Sequence, residues 1–369
     1  MVVRGLWGCR SRLGKLRLRH VLCLAAAACA LLALLFVDLI ELWVTSLGMS
    51  GPVEGPVRGG GPRAQSVPPM RPEEYLLMPS PLVCQRARPY LLAMVSTAPA
   101  NQWARQAIRD TWGGEVEVSR RRVLTLFTVG VPTDPGLAKL LVVEAREHGD
   151  LVQGRFQDNY ANLTLKTLSM LAWAKRFCPQ TQYLAKVDDD VLFNPSGLLR
   201  YLDHSHDSAG HTDLYLGRVH LGVAPNRNPS SKHFLSAQAY NANVFPDYCS
   251  GTTYVLSRTA LLKLSLTAAA MPLARPLPPE DVFVGLCARA AGVAPTHCPL
   301  FSGGLAVPYG RCCYQAMVSV HQVTPAQMRR FWADAHASEA CSWLRLRASL
   351  GLCKVRALLG TLVGQGDPQ

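Results

Sequence analysis

Beyond residue 84 the hydrophobic positions of the chain switch repeatedly between two periods. Compact apolar runs predict strands at 90–97, 123–129, 151–156, 182–187, 214–219 and 252–257. Between them, apolar residues three and four apart predict helices at 101–112, 137–148, 163–177, 260–270 and 281–290. In the helix at 163–177, Leu165, Leu168, Leu171 and Ala172 fall on one stripe, which reads as core. Strand and helix in alternation predict an α/β fold: a mostly parallel sheet with helices on both faces. Ligands of such sheets sit beyond the carboxyl ends of the strands. No internal repeat is visible.

The N-terminal pattern is different. Residues 21–37 are wholly apolar; Asp38 and Glu41 interrupt, and Leu39, Ile40, Leu42, Trp43 and Val44 continue the trend. Residues 1–20 carry Arg4, Arg10, Arg12, Lys15, Arg17 and Arg19 and no acid. A basic flank of this kind stays in the cytosol, so a type II signal anchor is expected. The long basic segment and the long apolar run argue against a cleaved signal peptide. From Gly48 to Pro72, 12 of 25 residues are Gly or Pro, which reads as a tether. The expected organisation is a cytoplasmic tail at 1–20, a transmembrane anchor at 21–44, a flexible stem at 45–83 and a lumenal domain at 84–369. The span is short, which favours a thin early secretory membrane, Golgi or ER.

That placement changes how charge and cysteine are read. The 369 residues carry a net charge of +13. Past the apolar run the excess is spread along the sequence, and a lumenal domain does not meet nucleic acid, so that partner is set aside. Nine of the 12 cysteines follow the run. With no Cys-x-x-Cys pair, disulfides are expected rather than zinc.

The candidate chemistry centres on Tyr183-Leu-Ala-Lys186-Val-Asp188-Asp189-Asp190. A strand climbs into three adjacent carboxylates, whose mutual repulsion a divalent cation removes. Mg²⁺ and Mn²⁺ take oxygen ligands and share them with substrate phosphates. A solvated acidic turn is the alternative for the triplet alone. Lys186 enters the cluster from the strand and balances it or meets the donor. Arg105 and Arg109 lie four apart on one helical face, able to hold a diphosphate or to pair with acids such as Asp110. Glu280 and Asp281 follow Pro278-Pro279 at a helix start, where acids are also favoured by the helix dipole. Asn162-Leu-Thr164 is the one N-glycosylation sequon, and Asn162 is equally placed to cap the helix that follows.

These motifs occur in a set order: Arg105-Gln-Ala-Ile-Arg109-Asp-Thr-Trp112, then 156–167, then the acid cluster, then Phe245-Pro-Asp-Tyr248-Cys249-Ser-Gly251-Thr-Thr253-Tyr254, then Glu280-Asp281-Val. Together they resemble the β-1,3-galactosyltransferase and β-1,3-N-acetylglucosaminyltransferase family of Golgi glycosyltransferases, and the galactosyltransferases more closely. The resemblance runs from about Cys84 to at least Met328. It implies a single GT-A type, Rossmann-like domain and an inverting transfer from UDP-galactose or UDP-N-acetylglucosamine to the 3-hydroxyl of a glycan, with Mn²⁺ or Mg²⁺. It further implies Asp190 and His321 as metal ligands, and Asp188 and Asp189 beside the donor. Asp281 becomes the base, with Glu280 and Tyr248 supporting it or holding the acceptor.

The resemblance also implies the disulfides Cys84–Cys178 and Cys287–Cys312. Elimination then leaves Cys298–Cys313 and Cys341–Cys353, with Cys249 single. One position departs from the family pattern: Thr253 stands where glycine is usual. If that position needs φ > 0, Thr253 is strained. The competing expectation is therefore a catalytically idle homologue that binds glycans or a partner transferase.

Overall fold

The structure, a computed structural model, describes residues 6–48, 75–205, 213–231, 233–271, 277–336 and 340–363. Its strands are β1 (Tyr75–Leu77), β2 (Leu91–Ser96), β3 (Glu117–Val118), β4 (Arg121–Val131), β5 (Leu151–Gln157), β6 (Tyr183–Asp188), β7 (Leu192–Phe193), β8 (Tyr215–His220), β9 (Tyr248–Ser257), β10 (Pro295–His297) and β11 (Ser319–Val320). The α-helices are α1 (Leu6–Leu35), α2 (Val37–Gly48), α3 (Val83–Ala87), α4 (Gln102–Arg109), α5 (Pro135–His148), α6 (Leu163–Phe177), α7 (Pro195–Ser205), α8 (Arg258–Ala270), α9 (Glu280–Ala290), α10 (Arg311–Ala316), α11 (Pro325–His336) and α12 (Trp343–Val363).

The main sheet runs β1-β5-β4-β2-β6-β9-β8-β10. Its centre, β5 to β6, is parallel as expected. The sheet as a whole is mixed, which corrects the expectation of a mostly parallel one. β9 inserts between β6 and β8 and runs antiparallel to both. Among the described residues no helix lies between β8 and β9, so no helical crossover imposes parallel pairing there. This reversal is functional in effect: it places the first residues of β9 beside the last residues of β6.

Side chains alternate across the sheet as a period of two demands. Leu91, Ala93 and Val95 enter one core layer, with α4, α7 and α11. Leu92 and Met94 enter the other, with α6, α8 and α9. Cys84–Cys178 ties α3 to the end of α6. The remaining bridges are Cys312–Cys341 and Cys313–Cys353, which pin α10 to the C-terminal segment. They correct the expected Cys287–Cys312, Cys298–Cys313 and Cys341–Cys353. Cys287 and Cys298 are instead buried thiols, as is Cys249. Cys287 packs in the layer with α6, α8 and α9, whereas Cys298 shares its layer with Cys313, which bonds Cys353 instead.

Among the described residues no single helix is long and apolar enough to cross a membrane. His20–Leu35 and Val37–Trp43 pass together but bend by 74° at the break. The tether expected at Gly48–Pro72 lies, from residue 49 on, outside the described residues. β1 extends the sheet upstream of Cys84 by pairing with β5.

Candidate active site

Four pieces of chain converge at the carboxyl ends of β2 and β6. They are the loop after β2, the acid cluster after β6, the start of β9, and the start of α9. A surface cleft of about 600 Å³ lined by Gln85, Arg88, Tyr90, Gln180 and Gln182 sits at the opposite, amino ends of these strands, away from this chemistry.

Lys186 is the hub. It is buried, and its Nζ donates to Asp188 Oδ1 at 2.6 Å and to Gly251 O, with Glu280 Oε2 at 3.6 Å. Register explains why: Lys186 pairs with Tyr254 across the antiparallel ladder, which carries Gly251 past the tip of β6. Gly251 N in turn donates to Asp281 Oδ2 at 3.2 Å. A Cβ at Gly251 would lie 2.9 Å from Glu280 Oε2, so glycine is what admits α9 so close. The acid cluster and the Glu280-Asp281 pair, distant in sequence, are thus joined through one lysine and one glycine.

Glu280 points inward. Its Oε1 accepts from Tyr254 OH and Thr167 Oγ1, both at 2.9 Å. Asp281 is half-buried, and Val282 N donates to its Oδ1 at 2.9 Å. Burial raises the pKa of both; Lys186 acts against the rise at Glu280, and the Val282 and Gly251 N–H groups act against it at Asp281. Asp188 is pushed up to about 6 by burial, with Lys186 opposing and Glu280 and Asp190 reinforcing. Burial alone would lower Lys186, but the charges of Asp188, Glu280 and Asp281 outweigh it and hold the ammonium protonated. Lys186 and the nearby Lys166 are outnumbered by Asp188, Asp189, Asp190, Glu280 and Asp281, which leaves the site short of positive charge.

Asp189 faces the other way, toward the loop after β2. Its Oδ2 accepts from Thr97 Oγ1 at 2.6 Å and Asn101 Nδ2 at 2.8 Å. Asp190 meets His321: Oδ2 lies 3.2 Å from Nε2, with Asp190 about half exposed. A small ladder makes that meeting. β11 pairs with β7, and Val323 N donates to Asp190 O at 2.9 Å. Between them Gln322 takes a left-handed φ of 62°, turning the chain so that His321 faces Asp190. Burial opposes the charged His321 ring, but the hydrogen bond and charge of Asp190 raise its pKa.

The donor set of Asp190 and His321 fits a divalent cation. One carboxylate oxygen and one imidazole nitrogen converge on a partly open point. Among the described residues no group of three or more His, Cys, Asp or Glu is placed to hold a metal. A cation held by these two groups would take its remaining ligands from phosphate or water oxygens.

Other expected residues fall elsewhere. Arg105 and Arg109 take the pairing arrangement, with Glu144 and Asp150 as partners rather than Asp110. Arg105 is 1% exposed, and it donates to both Glu144 oxygens and to the carbonyls of Ala98 and Pro99. Arg109 grips Asp150 at 2.8 and 2.9 Å and Glu144 at 2.8 Å. Arg105 braces the loop that carries Thr97 and Asn101, and Arg109 shares its partner Glu144. Tyr248 is buried, its ring 5.2 Å from His220 and packed on Gly285, close enough to Asp281 for that carboxylate's charge to act on its hydroxyl. Asn162 is 7% exposed and makes no side-chain cap; its Nδ2 donates to Gln157 O at 2.8 Å. Thr253 sits inside β9 opposite Val187 and is not among the described residues with positive φ.

Sequence reasoning missed Lys166. It is buried, with Nζ 2.7 Å from Thr97 O and 3.1 Å from Asp158 Oδ1. A lysine set between Leu165 and Leu168 on an apolar stripe was the available signal. Thr97, Asn101, Thr167 and Tyr254 carry no such signal, because only the fold brings them to the acids.

The family model described as Galactosyltransferase matches residues 103–299. Beta-1,3-galactosyltransferase 4 of Mus musculus is 40% identical over 289 residues, covering 70% of this chain and 77% of its own length. Beta-1,3-galactosyltransferase 9 of Homo sapiens is 30% identical over 299 residues, 80% of each chain. Lactosylceramide 1,3-N-acetyl-beta-D-glucosaminyltransferase of Homo sapiens is 37% identical over 244 residues, 64% of each.

Proposed function

The chain belongs to the galactosyltransferase family, and we propose that it transfers galactose, or else N-acetylglucosamine, from a UDP-sugar to the 3-hydroxyl of an acceptor glycan. The bond formed is β-1,3 and the anomeric carbon inverts. The fold is read as GT-A type, on a Golgi membrane protein anchored by residues 21–44.

One observation carries this reading: Lys186 and Gly251 join the acid cluster, with its Asp190–His321 pair, to Asp281. Two different tasks are thereby set side by side. Asp190 and His321 hold Mn²⁺ or Mg²⁺, which offsets the charge on the departing diphosphate. Asp188 and Asp189 line the donor side, fixed by Lys186 and by Thr97 and Asn101. Asp281 takes the proton from the acceptor 3-hydroxyl as that oxygen bonds the anomeric carbon and the bond to UDP breaks. Glu280, held by Thr167 and Tyr254, keeps the start of α9 in place beside Gly251. An acid with a raised pKa is the better base near neutral pH.

The idle-homologue reading drew on Thr253, and that residue lies in regular strand. The deciding experiment incubates the full chain in detergent with UDP-galactose or UDP-N-acetylglucosamine, with Mn²⁺ or with chelator, over an array of acceptors. Metal-dependent release of UDP with transfer from one donor is expected. No release from either donor under any condition would refute the reading.

A further inference from the structure

The N-terminal part of the chain makes contacts that sugar transfer does not use. Asp38 and Glu41 break an apolar run, and acids in such a run are costly unless partners meet them. Here every partner comes from the sheet domain or from α12. Arg218 Nη1 lies 2.7 Å from Glu41 Oε1, and His297 Nε2 lies 3.4 Å from the same oxygen. Lys354 pairs with Glu41 Oε2, and Arg347 with Asp38 Oδ2. His297 Nδ1 accepts from Val219 N at 3.1 Å, which leaves its other nitrogen to face Glu41. Arg218 and His297 stand on paired strands, β8 and β10.

α12 has three faces. Leu350, Cys353 and Ala357 are buried in the core. Arg347, Gly351 and Lys354, about one turn apart, face α1 and α2. Gly351 is in backbone contact there: a Cβ would fall 1.9 Å from Leu34 O, so no larger residue fits. The third face is apolar and open: Leu344, Leu352, Val355 and Leu359 are 57%, 44%, 37% and 55% exposed. On α1 and α2, which pack along α12, Leu31, Leu32, Leu39 and Ile40 are exposed as well. Arg345 and Arg356 are exposed on α12, suited to phosphate headgroups.

We propose that α12 lies on the bilayer that holds the anchor, locked to it by Arg347–Asp38 and by the Lys354, Arg218 and His297 socket for Glu41. The sugar-transfer domain is then seated on the membrane instead of hanging from its stem. The proposal rests on the reading of residues 21–44 as a membrane anchor.

The test places a specific protease site within residues 50–70 of the full chain, reconstituted in phosphatidylcholine vesicles. After cleavage, both fragments are followed by flotation. The larger fragment is expected to float with the vesicles. Asp38→Asn with Glu41→Gln, changes outside the sheet domain, should lower its retention by about tenfold or more. Leu352→Ser with Val355→Ser should do likewise, with the disulfides intact by peptide mapping. Release of the wild-type larger fragment while the N-terminal fragment stays overturns the seating and leaves the anchor standing. Release of both fragments overturns the anchor and the seating together. Unchanged retention in the acid-to-amide variant also overturns it.

Discussion

Asp190 Oδ2 and His321 Nε2 stand 3.2 Å apart because two short strands, Leu192–Phe193 and Ser319–Val320, pair antiparallel. The chain spends a whole ladder on bringing one imidazole to one carboxylate. Replacing either with alanine would remove one of the two ligands proposed for the metal. Asp190→Ala and His321→Ala should each abolish Mn²⁺-dependent UDP binding in calorimetry while thermal unfolding stays cooperative. Unchanged UDP affinity in both variants would exclude this pair as the metal site.

Asp281→Asn keeps size and hydrogen-bonding capacity but accepts no proton. Transfer should drop by about 10²–10⁴-fold, with UDP–Mn²⁺ affinity close to wild type. Near-normal transfer would reduce Asp281 to a helix-start residue, and the base would be sought at Glu280.

The pH profile follows from burial. Asp281 is raised above the ordinary value of 3.8, so the acidic limb of kcat/KM should lie above that value, activity falling as the base is protonated. For stability, a carboxyl raised in the folded state binds its proton more tightly there than in the unfolded chain. The resulting stabilisation is complete below the unfolded pKa and is lost as pH rises through the folded one. For Asp188 that window runs from 3.8 to about 6. The Tm of metal-free Asp188→Asn should therefore gain on wild type as pH rises across it; a constant difference would contradict the raised pKa.

Non-reducing peptide mapping should return Cys84–Cys178, Cys312–Cys341 and Cys313–Cys353. Cys249, Cys287 and Cys298 should alkylate only after denaturation, since all three are buried. A bridge from Cys287 to Cys312 would contradict the structure.

Thr253→Gly restores the residue usual in the family but loosens the middle of a strand. It should cost about 1 kcal/mol of stability in urea titration without raising transfer. A gain in activity would show that Thr253 restrains the site.

Much of this was legible in the sequence. The strand that delivers Asp188–Asp190 and the helix that opens at Glu280 stand where periodicity put them, because both patterns are strong and local. Strand direction is not local. Nothing in the composition of 248–257 says that it runs backwards between two neighbours, so the approach of Gly251 to Lys186 was invisible. Cys84–Cys178 stands as expected, but the other pairings do not: resemblance and elimination carry no distance between helices, and the adjacent Cys312 and Cys313 turn to the C-terminal segment. The sequence leaves Arg105 and Arg109 open between ligand and ion pair. Their partners, Glu144 and Asp150, came from elements with no pattern linking them to α4.

The β7–β11 ladder has a consequence for biogenesis. A ribosome releases Asp190 long before His321, so the metal pair cannot exist on a nascent chain whose sheet is already complete through β9. Until β11 emerges and closes the ladder, the carboxylates at the tip of β6 have Lys186 and the nearby Lys166, but not His321, to offset their charge. The candidate site is therefore finished only once β11 follows, and a chain cut short after β10 would lack both the histidine and the ladder that positions it.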